Sequence, residues 1–188
     1  MPSNPFFQAA YCQPPRVLGV QLRPFSLGHL LLLEGLGNPF VAWGTGSRAE
    51  LFAAVLVCSR TMAENGRVLF GGRLPLWRLV WWALRWPERR IGPERDAFVR
   101  YLADYTATPE HWESESDGKG FRAPWQYHFV LVLCREFGMG WAEAWNAPVA
   151  LARCCYDTWA ETQGDKSLIS PEEQDGIRFL NSQPGVEQ

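Results

Sequence analysis

PWQYHFVLVLCREFGMGWAEAWNAPVALARCCYDTWAETQG, residues 124–164, is the stretch whose reading decides the fold. Its first third permits two interpretations, because Val130 and Val132 alternate as they would in a strand. Length and flanks favour a helix. Pro124 stands where a first helical turn tolerates a missing N–H, and Gly138 supplies the stop. GMG then leads into a short WAEAW helix of one or two turns. Asn146 reads as the cap of a last long helix, with Pro148 in its first turn and Gly164 just past its end. Helices joined by short turns, rather than paired strands, make this end of the chain all-α.

The same signals recur towards the N-terminus. Ser47 and Glu50 form a capping box, the hydroxyl bonding the third amide while the carboxylate reaches back to the cap. Leu51, Val55, Cys58 and Met62 follow at helical spacing, and Asn65-Gly66 reads as the stop. Ser26 is the expected N-cap of LGHLLLLEGL, closed by GLGNPF. Its four leucines, Leu30 to Leu33, cover more than one face, which predicts burial on most sides. PERDAFVRYLADYTA places Phe98, Leu102 and Tyr105 on one face of another helix. The expected architecture is a single compact domain of about six to seven helices spanning residues 25–164. A Pro-rich, irregular arm (1–24) precedes it and a polar tail (165–188) follows. The acidic, glycine-bearing TPEHWESESDGKG predicts a hinge loop near 107–120.

LPLWRLVWWALRWPERR, starting near Pro75 and stopped by Pro87, is the most unusual helix. Trp77, Trp81 and Leu84 share one face, Leu79, Trp82 and Trp86 the adjoining one, and Arg78, Arg85 and Arg89 the remaining stripe. A helix apolar around more than half its circumference either lies between layers of the domain or carries a patch for a partner. Trp77, Arg78, Trp81, Trp82 and Arg85 are therefore the candidate partner-binding residues.

Composition narrows the class. The 188 residues are 47% hydrophobic and 20% charged, with ten tryptophans, which is globular rather than disordered usage. A formal charge of −2 is no global nucleic-acid footprint. The charge is uneven, however. Seven arginines face three acids between Arg73 and Arg100, while seven acids face two basic residues from Tyr156 onward. Such bipolarity suits two solvated faces, self-association or a complementary partner. No apolar run reaches membrane-span length, and the N-terminus lacks a basic region followed by a long apolar run. The chain reads as soluble and cytoplasmic, without membrane or nucleic-acid partners.

The chemistry-bearing residues do not assemble into a recognisable site. Cys12, Cys58, Cys134, Cys154 and Cys155 are odd in number and irregularly spaced, as reduced thiols are. On a helix the vicinal pair Cys154-Cys155 diverges by about 100°, so the two sulfurs chelate poorly. Cys155 falls in register with Leu151 and Trp159, an expected buried stripe, and Arg153, Asp157 and Glu161 form an expected solvated face opposite. His128 and Cys134 are turned about 120° apart on one helix. A helix-turn-helix over residues 122–153 would offer only Arg153 for base contact near its second helix. The reading is a non-enzymatic protein with no cofactor.

Two stretches carry a family resemblance. LRPFSLGHLLLLEGLGNPFV (22–41), followed by the capped ELFAAVLVCSR, is a short leucine-rich helix closed by a Pro-containing turn. GMGWAEAWNAPVALARCCYDTWAETQG (138–164) is a turn, a Trp helix, a Pro start and a helix ending in acid–x–x–Gly. These segments resemble small helical tail assembly chaperones encoded in the tail-morphogenesis regions of tailed bacteriophages and prophages. The resemblance implies binding of the tape-measure protein, or another tail protein, before the tail tube polymerises. It carries over no functional residue. A structural virion subunit, such as a tail completion or connector protein, is the alternative, and a host-directed enzyme or inhibitor a further one.

Overall fold

A computed structural model describes residues 13–72, 76–106, 123–164 and 173. The expected hinge at 107–120 and nearly all of the tail lie outside the described residues, as does the arm before residue 13. Eight α-helices occur among them: α1 (Leu27–Gly35), α2 (Arg48–Cys58), α3 (Met62–Phe70), α4 (Leu76–Arg85), α5 (Gly92–Thr106), α6 (Trp125–Glu136), α7 (Trp141–Asn146) and α8 (Val149–Gln163). The domain is helical, as the caps and periodicities require.

α1 is the hub. It touches α2, α6, α7 and α8, and so many neighbours are why it is apolar nearly all round. Leu27, Leu30 and Leu33 are buried, while Leu31 and Leu32 are half-buried against the same core. Ser26 caps it through the His29 amide, and His29 occupies the position that Glu or Gln usually fills in a capping box. Gly28 lets the neighbours come close: a Cβ there would stand 3.0 Å from both Met62 Sδ and the Trp145 carbonyl oxygen. A short backbone ladder ties α1 to α8 as well. Leu27 N–H donates to Ala147 O at 3.1 Å and Val149 N–H to Phe25 O at 2.8 Å, around a bridge between Ser26 and Pro148.

Aromatic side chains fill the space between α1, the Pro39–Ala42 3₁₀ turn and α5. Tyr101 packs against Phe25 at 5.9 Å, Phe98 at 5.6 Å and Tyr105 at 5.3 Å, and Phe98 continues to Phe40 at 5.4 Å. The Tyr101 hydroxyl donates to the Arg23 carbonyl at 2.8 Å, so its polar end is satisfied inside the core.

The structure corrects four expectations. Residues 13–24 are not an irregular arm. β1 (Arg16–Val17) and β2 (Val20–Gln21) form a small antiparallel hairpin whose Val17, Leu18 and Leu22 are buried in the core. Leu18 and Gly19 both take positive φ, the requirement of a two-residue hairpin turn, and the Leu18 N–H donates to Glu94 on α5.

Asn65-Gly66 does not stop α2. That helix ends at Cys58, and Thr61 with Glu64 starts α3 by a second capping box. Asn65 then sits inside α3, buried, donating to the Val57 carbonyl at 2.9 Å. Asn146 does not cap α8, which has no side-chain cap. Its Oδ1 instead accepts from the Met62 N–H at 3.1 Å, joining the end of α7 to the start of α3.

Lastly, the faces of α8 are rotated from expectation. Ala150, Cys154, Asp157 and Ala160 are buried, whereas Leu151, Cys155 and Trp159 are half-buried. Asp157 leaves the solvated face, and Arg153 beside it is half-buried as well. The Arg153 guanidinium lies 5.3 Å over the Trp125 ring and faces the charges of Asp157 and Glu34.

Candidate partner-binding surface

α4 is built by two kinds of residue in one ten-residue span. Trp82 is its anchor, 1% exposed and packed against Phe52 of α2 at 5.7 Å. Leu79 and Trp86 are half-buried against the same core. Arg48 on α2 steadies the far end, reaching the Trp86 carbonyl at 3.4 Å and Glu88 at 4.0 Å. These contacts decide which side of an apolar helix faces inward.

The other side is left to solvent. Leu76, Trp77, Val80, Trp81 and Leu84 are 64%, 73%, 59%, 51% and 79% exposed. Trp77, Val80, Trp81 and Leu84 stand at i, i+3, i+4 and i+7, the register in which one helix presents anchors to a groove. Contiguous exposed apolar side chains of this kind are a candidate contact surface, because water penalises each uncovered aromatic.

Of the five candidates, Trp77, Trp81 and Arg85 are exposed and lie on or beside this ridge. Arg78 is half-buried, its guanidinium 5.6 Å over the Trp82 ring. Trp82 is brought into the core, so it anchors α4 rather than lining the exposed ridge.

A second apolar concavity lies on a different part of the molecule. Met62, Ala63, Tyr127, Trp141, Ala142 and Trp145 line a groove of about 330 Å³. Tyr127 and Trp141 both stand edge-on to Trp145, at 4.9 and 5.9 Å. Its walls come from α3, α6 and α7, which no spacing along the chain brings together. The only sequence signal was the tryptophan density of WAEAW.

Two of the described thiols, Cys58 and Cys154, are buried. Burial pushes the Cys58 thiol far up, and Cys154 up to about 11, with Asp157 and Cys155 adding to the burial at Cys154. Thiols so far from ionisation are poor nucleophiles and poor metal ligands. Among the described residues, no three His, Cys, Asp or Glu side chains gather to hold a metal ion, and no helix is long and apolar enough to cross a membrane. Comparison of the chain with protein-family profiles, with curated proteins and with solved structures gives no match.

Proposed function

We propose that the protein is a non-enzymatic tail assembly chaperone of a tailed bacteriophage or prophage, holding the tape-measure protein or another tail component in the host cytoplasm. The family assignment rests on the resemblance of residues 22–41 and 138–164. The binding mode rests on one observation, the exposed Trp77-Val80-Trp81-Leu84 ridge of α4. A holdase needs an apolar surface on a rigid element and no cofactor, and this ridge is carried by a helix whose inward face is anchored through Trp82.

Each large apolar side chain gains about 1.5–3 kcal/mol on full burial, so two tryptophans dominate such a contact. Trp77→Ala combined with Trp81→Ala is expected to weaken co-purification of a co-expressed tape-measure protein at least about tenfold, with helicity and melting temperature retained. Undiminished co-purification by this folded variant would sink the proposed mode. Stoichiometric copies in purified particles would instead assign the chain to the virion as a structural subunit.

A further inference from the structure

Four arginines from four places in the chain meet in one cleft. Arg23 follows the hairpin, Arg60 lies in the turn between α2 and α3, Arg67 is on α3 and Arg78 on α4; together they line a cavity of about 400 Å³. Val20 and Val68 form apolar walls, and Glu64 is the one carboxylate among the described lining residues.

That carboxylate is already engaged. Its Oε2 accepts from the Thr61 N–H at 2.7 Å and the Thr61 hydroxyl at 2.9 Å, and the same oxygen meets Arg23 at 3.7 Å. One acid against four guanidinium groups leaves a formal surplus of three positive charges in the cleft. The arginines also disfavour one another. Arg60 is pushed down from the ordinary guanidinium range by burial and then by Arg78, with Glu64 opposing.

Two of the four, Arg60 and Arg78, are half-buried and held in place by the fold, while Arg23 and Arg67 are exposed. Arg60 Nη1 donates to the Leu56 carbonyl at 2.8 Å, Arg78 is stacked over Trp82, and Arg23 pairs with Glu64. Positive charges held as Arg60 and Arg78 are, beside apolar walls, attract an anion more strongly than the same charges on mobile side chains in water. The guanidinium fork matches the oxygens of phosphate two at a time.

We propose that this cleft is an oxyanion site for a phosphorylated small molecule, with a diphosphate group as the preferred moiety. A surplus of three charges is offset better by a diphosphate than by a monoanion such as a carboxylate. The volume lies at the lower end of small-ligand cavities, about 300–1,000 Å³, enough for a diphosphate and a modest substituent. The site is distinct from the α4 ridge, since Trp77, Val80, Trp81 and Leu84 do not line it.

Isothermal titration of the full chain with sodium pyrophosphate, orthophosphate and sulfate, at one ionic strength, tests this. Saturable binding in the order pyrophosphate, orthophosphate, sulfate is expected. Arg67→Ala and Arg78→Ala should each weaken pyrophosphate at least about tenfold, one charge-assisted fork each. Arg78→Lys, which keeps charge but not the fork, should fall between. Arg135→Ala, on the solvated side of α6, serves as the control for bulk charge and should leave binding unchanged. Circular dichroism checks that each variant is folded. Non-saturable heats, no preference for pyrophosphate over sulfate, or an equal loss in Arg135→Ala would each overturn the proposal by reducing the cleft to a screened basic surface. These probes are small anions, so the result does not depend on the identity of any protein partner.

Discussion

His29 shows how much one side chain can be committed to the fold. It is 1% exposed, accepts from the Ser26 N–H at Nδ1 (3.2 Å) and donates from Nε2 to the Arg60 carbonyl (2.5 Å). Only the neutral ring protonated at Nε2 satisfies both. Burial lowers its pKa from 6.5 to about 4, Arg23 contributing in the same direction and the Arg60 carbonyl opposing. Because the folded pKa lies below the unfolded one, the unfolded chain binds the extra proton between these values. Stability from His29 is therefore complete above pH 6.5 and lost as pH falls towards about 4, by roughly 3 kcal/mol over the whole window. Urea denaturation at a series of pH values should show this decline, and His29→Gln should flatten it. An unchanged slope in the variant would remove His29 as its source. A histidine at the third position of a capped helix gave no hint of this, since its partner carbonyl lies thirty-one residues away.

Among elements, the capping signals carried most of the information. Ser47 with Glu50, Ser26, Pro124 and Gly164 each mark a real boundary, because a cap is a local bond that needs no tertiary partner. α3 is hidden in the sequence because Asn-Gly ordinarily breaks a helix, whereas Asn65 is retained inside it by its bond to Val57. Which face of α4 turns inward was equally illegible, since Phe52 rather than spacing decides it. Close approach of α1 to α3 and α7 yields a prediction at this scale. Gly28→Ala raises helix propensity by about 1 kcal/mol, yet its methyl would press on the Trp145 carbonyl, which cannot swing aside as Met62 can. We expect the crowding to win and the melting temperature to fall by a few degrees, about 1 kcal/mol of lost stability. A rise in melting temperature would mean that α7 shifts away freely.

For the molecule as a whole, fold class was legible and the character of the surface only in part. Periodicity groups Trp77, Trp81 and Leu84 on one face, and packing through Phe52 leaves that face exposed. The arginine cleft was hidden, because positions 23, 60, 67 and 78 become neighbours only after the hairpin, α3 and α4 have packed. An uncovered ridge also has a consequence for the isolated chain. Without a partner, the ridge is expected to pair with its own kind as concentration rises. Sedimentation velocity should show concentration-dependent association that Trp77→Arg with Trp81→Arg abolishes. Association unaffected by these changes would locate self-contact elsewhere, the groove beside Trp141 being the next surface to test.

The ladder between Phe25–Leu27 and Ala147–Val149 bears on how the chain reaches this state. Its two sides are separated by more than a hundred residues, so closing it costs loop entropy that local helices do not. During synthesis α1 emerges well before α6, α7 and α8, which cover much of it. Until then its leucines have half a core to bury in. Folding should therefore complete only once α8 has been made, and truncation before residue 149 should yield aggregates rather than a smaller folded domain.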